Sequence, residues 1–438
     1  MGSLLIQNGR VVTLNDRSEI LFPASVYIEG TKIVEVGEAA GRKADRTIDA
    51  GGKVVMPALI NVHHHLYSTF ARGFTPPGKP PSDFKEILEH LWWKLDLALD
   101  RDDVYYSALV ALVECIKTGC TTVVDHHASP SCRDGSLDTI EQAFREAGLS
   151  GCLCYEVSDR NAECAGVEEN ERFLKKCAAS GDGQITGLFG LHASMTLGAK
   201  TLERCAEVGT RLKAGFHAHA AEDQIDQRVT HGEFGKRVME RFRDAGITGR
   251  KSLFVHGVHL DEAERGIVRA TDSMIAINPE SNMNNAVGVP RMLDMVKDGI
   301  LAGLGTDGMS SAMIASARAA YLLQRQATRN PRVGFVEACE MLLKNNRAIC
   351  DRLFPEKRGV LEPGALADVI VVDYEPPTPM TPKTFYGHLL YGLNTARVDT
   401  TVSRGRVLME GGKLAALDET EICAKGAERA KRLWKRMG

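Results

Sequence analysis

Apolar runs that end in histidine or aspartate recur along the middle of this chain, with helical stretches between them. The strand-like runs are "ALINVHHH", "CTTVVDHH", "ITGLFGLHA", "AGFHAHAAE", "SLFVHGV", "SMIAINPES" and "LAGLGTDG". "DDVYYSALVALVECIKTG" and "SARAAYLLQRQATR" are examples of the helical stretches. Strand–helix alternation over roughly 300 residues predicts an α/β fold with a parallel sheet, and that size suits a TIM-like (β/α)8 barrel. In such a barrel the C-terminal strand ends meet at one face, where enzymes of this architecture place their sites. His63, His65, His126, His127, His192, His219, His256 and Asp307 all fall at or just after such ends.

Both chain ends read differently, as short strands with glycine turns. "LLIQNGRVVTL" carries Asn8-Gly9 between apolar runs, a strong hairpin signal, and Glu29-Gly30 and Gly51-Gly52 repeat the pattern. "GALADVIVVDYE" and "DTTVSRGRVLMEGGKLAAL" echo it near the C-terminus. The expected organisation is a small β-sandwich domain built from residues 1–57 and 362–420, a metal-dependent barrel over 58–361, and a terminal helix over 421–438. The basic stretch "KGAERAKRLWKRMG" is expected to lie in solvent, since like charges favour water.

Composition narrows the function classes. The 44% hydrophobic and 25% charged fractions are those of a globular domain. A net charge of -3 with both signs interspersed offers no basic stripe for nucleic acid. Eleven scattered cysteines and no secretory apolar region predict free thiols in a reducing cytoplasm. No apolar run is long enough to predict a membrane span. "MGSLLI" places Ile6 where a myristoylation signal needs Ser or Thr.

On a strand, residues i and i+2 share a face, so His63 and His65 are placed to grip one ion while His64 points away. His219 adds a third neutral imidazole and Asp307 an anionic oxygen. Three His and one Asp suit Zn²⁺, with Fe²⁺ or Mn²⁺ as alternatives. Glu222, three residues after His219, is a candidate proton carrier beside the metal. Arg72 in "TFARG" is either an anchor for a substrate carbonyl or anion, or a surface ion pair. Trp92 and Trp93 either cap a planar ring or sit in a helix core.

The motifs together resemble the amidohydrolase superfamily, in its cytosine deaminase-like and triazine hydrolase-like branch. "MPALINVHHHLYSTFARG" resembles that branch's P-G-L-(V/I)-N-x-H-x-H segment and following Arg-Gly. "LHASMT", "FHAHAAE", "FVHGVHL", "INPESNMNNAVGVP", "LGTDG" and "VLEPGALADVIVVD" resemble its later segments in order. The resemblance implies that His63, His65, His219 and Asp307 are metal ligands and Glu222 the proton shuttle. It implies that His256 contacts the hydrolytic water or substrate and that His192 touches substrate. Binuclear relatives carry a bridging Lys at the end of the fourth strand, and "GLFGLHASM" has none, which implies one divalent ion per chain. "DHHASPS", with His126 and His127, resembles a run in oxidised-guanine deaminases, which makes both candidate substrate contacts. Ala58 replaces the usual Gly, "LHASMT" lacks a Pro-Tyr pair, and "TDGMSSAMIA" lacks an Asn pair. The family also implies a homodimer.

The implied activity is hydrolysis of carbon–nitrogen bonds in a purine, pyrimidine or related N-heterocycle. The metal would activate water, Asp307 would accept its proton, His256 would orient the attack and Glu222 would protonate the leaving side. Ring opening of a cyclic amide or ureide, chloride release from a triazine and a metal-free binding scaffold are the competing outcomes.

Overall fold

A computed structural model gives the structure of residues 2–38 and 42–438; residues 1 and 39–41 of the first expected segment lie outside the described residues. The middle of the chain forms two parallel sheets with helices between the strands. One orders the strands Leu59–His64, Cys120–His127, Ser150–Tyr155 and Ile185–Gly187. The other orders Phe189–Ala193, Phe216–Ala220, Leu253–His256, Met274–Ile277 and Leu301–Leu304. Every pairing within them is parallel. The strands read as near-continuous apolar runs because both faces are buried, and Cys120–His127 is buried at all eight positions. Isolated bridges join Val157 to Leu191 and His64 to Asp307, tying one sheet to the other at both margins. The expected run "ITGLFGLHA" splits at Leu188, its first part pairing backwards and its second forwards. Ser150–Tyr155 was not anticipated as a strand.

Helix Arg101–Thr118 begins at a reciprocal capping box between Asp100 and Asp103 and ends on Gly119 in the left-handed region. It packs on the first parallel sheet and on the terminal helix Glu419–Met437. That terminal helix is amphipathic and not simply solvated. Leu433 is fully buried, Trp434 Nε1 donates to the Phe70 carbonyl at 2.7 Å, and Arg429 Nε donates to Asp103 at 2.8 Å. Most of its basic residues lie on the outer face, while Arg429 turns inward to Asp103.

The two ends of the chain share one sheet. Val54–Pro57 pairs parallel with Ser3–Val12 and antiparallel with Val369–Asp373, and Arg397–Ser403 extends the sheet. The turn at Gly30 forms, joining antiparallel Ile20–Glu29 and Lys32–Gly37. The turn expected at Asn8-Gly9 does not. Ser3–Val12 is one ten-residue strand, and the pair makes a register shift within it. Asn8 adopts φ 57° there. Pairing with Ile20–Glu29 on one side and Arg46–Asp49 on the other overrides the local turn preference.

Candidate active site

The C-terminal ends of the parallel strands deliver the polar residues to one place. His63 lies on the first strand and His65 one residue beyond it. His217 and His219 share a face of the strand Phe216–Ala220, and His256 ends the next. Asp307 follows Leu301–Leu304, its backbone N donating to the His63 carbonyl at 3.1 Å. His256 and Asp307 have φ of 71° and 54°. Non-glycine residues pay for that conformation, and such strain clusters at functional sites.

Hydrogen bonds to the far nitrogen set which imidazole atom faces the centre. His65 Nδ1 donates to the His126 carbonyl at 2.6 Å, and His219 Nδ1 to the His192 carbonyl at 3.1 Å. Both therefore turn Nε2 toward the centre, and in the metal-free protein that of His65 shares its proton with Asp307 3.1 Å away. For His63 the cause is a longer chain. Its Nδ1 meets His217 Nε2 at 3.0 Å, His217 Nδ1 meets Cys154 Sγ at 3.4 Å, and the Cys154 thiol donates to the Asp125 carbonyl at 3.6 Å. Burial pushes that thiol's pKa well up, so it keeps its proton. With the S–H committed to a carbonyl, each member donates toward Cys154 and His63 Nε2 is left bare. Buried and without a hydrogen-bond partner, that Nε2 is the orphan a metal would satisfy.

These nitrogens converge with a carboxylate. His63, His65 and Asp307 offer atoms within 4.8 Å of one another, and Asp307 Oδ1 lies 3.1 Å from His65 Nε2 and 3.6 Å from His63 Nε2. His65 and His219 Nε2 are 3.2 Å apart. Burial opposes a charge on Asp307, but the neighbouring His63 and His65 imidazoles outweigh it and hold the carboxyl well below its usual range. Burial depresses His63 to about 3, and His219 lies well below its ordinary value. Burial would also depress His65, but hydrogen bonding and charge from Asp307 raise it to about 9. A hydrated divalent cation suits this donor set of three imidazoles and one ionised carboxylate.

His256 is wired the opposite way. Asn282 Nδ2 donates to its Nδ1 at 2.8 Å, so the proton sits on Nε2, 3.3 Å from Glu222 Oε2 and 3.8 Å from Asp307 Oδ2. Burial lowers its pKa to about 4, so it is a neutral donor. Burial, reinforced by the Asp307 charge, raises Glu222 well above the ordinary carboxylate range. Asn285 Nδ2 donates to Glu222 Oε1 at 3.3 Å, and Ser281 Oγ to Asp307 Oδ2 at 2.5 Å.

A cavity of about 560 Å³, counted with its mouth, opens beside this cluster. His65, His192, His219, Glu222 and Asp307 line one side; Phe84, Leu88, Trp92, Trp93 and Asp96 line the other. Trp92 and Trp93 thus reach the cavity, within the helical segments Leu88–Trp92 and Trp93–Ala98.

Three of the candidate substrate contacts do not line the cavity. Arg72 does not reach the cavity: it leaves the helix Leu66–Ala71 for the surface, half exposed, and pairs with Glu114. His126 lies among the cluster imidazoles, its Nε2 facing the Leu191 carbonyl at 3.0 Å, and does not line the cavity. His127 turns to Ser129 Oγ at 2.8 Å and is walled off by Tyr67 and Tyr155. His64 points away as expected, its Nε2 3.4 Å from Ser311 Oγ. Sequence reasoning missed His217, although its i+2 spacing from His219 places both on one face. It also missed Asn282, Asp96 and Glu156.

Residues 54–408 match the amidohydrolase family. The chain belongs to that family. This amidohydrolase is 30% identical to a 5-methylthioadenosine/S-adenosylhomocysteine deaminase of Pelotomaculum thermopropionicum, over 99% of both chains. It is 30% identical to a 5'-deoxyadenosine deaminase of Methanosarcina acetivorans, again over 99% of both. Among solved structures it is similar to a zinc-bound adenosine deaminase of Xanthomonas campestris. The TM-score is 0.85 at 20% identity, covering 99% of this chain and 98% of that one. A triazine hydrolase of Arthrobacter aurescens gives a TM-score of 0.82 at 22% identity, covering 99% of this chain and 100% of that one. At those identities the likeness is one of fold. The amidohydrolase is an enzyme acting on carbon–nitrogen bonds other than peptide bonds. Among the described residues no helix is long and apolar enough to cross a membrane.

Proposed function

We propose that this amidohydrolase is a metal-dependent deaminase of a purine, pyrimidine or related N-heterocycle. The observation that carries the reading is the juxtaposition of two histidine arrangements: the Nε2 atoms of His63, His65 and His219 turned toward Asp307, and an Nε2–H on His256 beside Glu222. The first four residues would hold one divalent ion, zinc in first place and iron or manganese as alternatives. Bound there, the ion supplies a Lewis acid that makes water a nucleophile at neutral pH. Asp307, held ionised, takes a proton from the attacking water. His256 Nε2–H donates to the oxygen as negative charge develops. Glu222, kept protonated by burial, delivers its proton to the ring nitrogen and then relays one to the departing amino group. Ammonia leaves and a ring carbonyl remains. The names of the two deaminase relatives support a purine amino group as the bond broken. His192 is a substrate contact in this reading.

The same reading takes the two parallel sheets as one closed (β/α)8 barrel over residues 58–361, supported by the bridges at both margins. It takes residues 1–57 and 362–420 as a small β-sandwich domain, with 421–438 as an appended helix. It takes the enzyme as cytoplasmic and able to form a homodimer.

The test is a panel of aminopurines, oxidised purines, pyrimidines and cyclic ureides offered to zinc-loaded protein, reading ammonia and ring absorbance. Ammonia release from at least one ring is expected. Glu222→Gln should cut turnover by about 10²–10⁴-fold with metal content unchanged. No ammonia from any ring, or full turnover in that variant, overturns the reading. An acyclic carboxylate would instead identify ring opening, and chloride from a chlorotriazine a chlorohydrolase.

A further inference from the structure

The cavity lining carries two carboxylates, Asp96 and Glu156, with one guanidinium held between them, and a Glu156 oxygen lies within 4.8 Å of ring nitrogens of His192 and His219. Arg160 Nη1 and Nη2 both donate to Asp96 Oδ2 at 3.1 Å, and Nη2 donates to Glu156 Oε1 at 2.5 Å. The side chains of Asp96, Glu156 and Arg160 are 3%, 4% and 10% exposed. Asp96 comes from the helix Trp93–Ala98 and Glu156 directly follows the strand Ser150–Tyr155, so two separate segments build the wall. One guanidinium satisfies only part of what two buried carboxylates can accept. Asp96 Oδ1 is buried without a partner. Glu156 Oε2 lies 3.6 Å from His126 Nδ1, but the proton of His126 sits on the Nε2 that faces the Leu191 carbonyl, so that contact donates nothing. Leaving buried acceptors unmade is costly unless a ligand supplies the hydrogens.

The remaining polar groups of the cavity add to this imbalance. The Thr196 hydroxyl is committed to the Ala193 carbonyl at 3.1 Å, so it accepts from His192 Nδ1 at 2.7 Å and leaves His192 Nε2 bare. Ser68 donates to the His65 carbonyl, Ser281 to Asp307 and Asn285 to Glu222. Spare capacity around Asp96 and Glu156 is therefore mostly acceptor, with the buried, unpartnered Trp93 Nε1 and the Tyr67 hydroxyl beside Asp96 adding donors.

We propose that Asp96 and Glu156, held by Arg160, are specificity-determining residues that select a heterocycle with an unsubstituted ring N–H. This rests on the deaminase reading above. A free base fits: the imidazole edge of a purine offers one N–H to the carboxylate side and one bare nitrogen to a donor such as Trp93. An N-alkylated base or an N-riboside has lost that N–H and leaves the carboxylate unmatched. A site built to bind a substrate N–H rejects an analogue lacking it far more strongly than an apolar pocket rejects a missing methylene.

The test compares adenine and guanine with their 9-methyl derivatives and 9-ribosides. Binding is read by tryptophan fluorescence on zinc-loaded Glu222→Gln protein, where turnover is slowed, and ammonia release on the wild type. The free base should bind at least about tenfold more tightly than its 9-methyl derivative. Asp96→Asn and, independently, Glu156→Gln should shrink that ratio toward one, mainly through the affinity of the free base. Equal or tighter binding of the 9-methyl derivatives or ribosides overturns the proposal. So does an unchanged ratio in both variants, or no binding of either free base. If the free bases bind preferentially and the variants cancel the preference, but no panel ring releases ammonia, the deaminase reading fails and this selectivity stands.

Discussion

The two walls of the cavity come from different kinds of structure. His63, His219 and His256 sit on parallel strands, with His65 and Asp307 one and three residues past strand ends, and backbone pairing fixes their positions on both sides. The facing wall takes Phe84, Leu88, Trp92, Trp93 and Asp96 from the segment that links the first strand to its long helix. Groups that take part in bond breaking need placement within a fraction of an ångström, which strand ends provide. Substrate discrimination tolerates a connecting segment, which changes in sequence without disturbing the sheet.

The largest expected effect lies on the metal wall. Asp307→Ala removes the anionic donor and leaves three neutral imidazoles. Metal content by elemental analysis should fall to background, and turnover should drop by about 10⁴-fold or more. A variant that kept both would remove Asp307 from the site. Next in size is His217→Phe, which touches neither substrate nor metal. Without His217 the Nδ1 of His63 loses the acceptor that leaves its Nε2 bare. Metal affinity, measured by competition with a chelator, should weaken by about 10–100-fold. Cys154→Val should weaken it in the same direction by less, because His217 then keeps contact with His63 but loses its own orientation.

The same contrast explains what was legible in the sequence. His63, His65, His219, Glu222, His256 and Asp307 stand at the ends of apolar strands, so period-two spacing and strand–helix alternation suffice to bring them together. Glu156 and Arg160 lie four residues apart outside any helix, and Asp96 meets Arg160 across 64 positions of sequence only once the chain is folded. Arg72 shows the converse. The sequence leaves it open as a substrate anchor or a surface ion pair, and the two-turn 3-10 helix after His65 carries it to the surface. The terminal helix was misjudged because its charges are evident one by one, while its buried stripe of Ile422, Leu433 and Met437 needs a partner face to have meaning. Asn8-Gly9 was a sound local signal that lost to two strand pairings.

A smaller effect tests the electrostatics of the metal wall. In the metal-free protein burial works against His65 protonation, and Asp307 outweighs it, giving a pKa of about 9. At pH 7.5 that imidazole carries a proton that metal must displace. Calorimetry of zinc binding in two buffers of different ionisation enthalpy should show about one proton released at pH 7.5, falling toward none above the His65 pKa. The sign follows from the raised pKa: affinity increases with pH up to that value and levels off beyond it. No proton release at pH 7.5 would mean that His65 is already neutral and that Asp307 is not paired with it.

The smallest expected effect separates the two arginines. Arg72 pairs with Glu114 where the side chains are 50% and 33% exposed, and such surface pairs contribute about 0–1 kcal/mol. Its pKa is raised by the hydrogen bond to Glu114, which solvent screening discounts at that exposure. Arg72→Ala should therefore leave kcat, KM and metal content unchanged within error and lower the thermal midpoint by a few degrees at most. Arg160→Ala strips the guanidinium from two buried carboxylates that line the cavity, so it should raise KM and disturb substrate choice while metal content stays full. If Arg72→Ala raised KM as much as Arg160→Ala, the surface pair with Glu114 would have to open toward the substrate, and the division between the two walls would fail at that point.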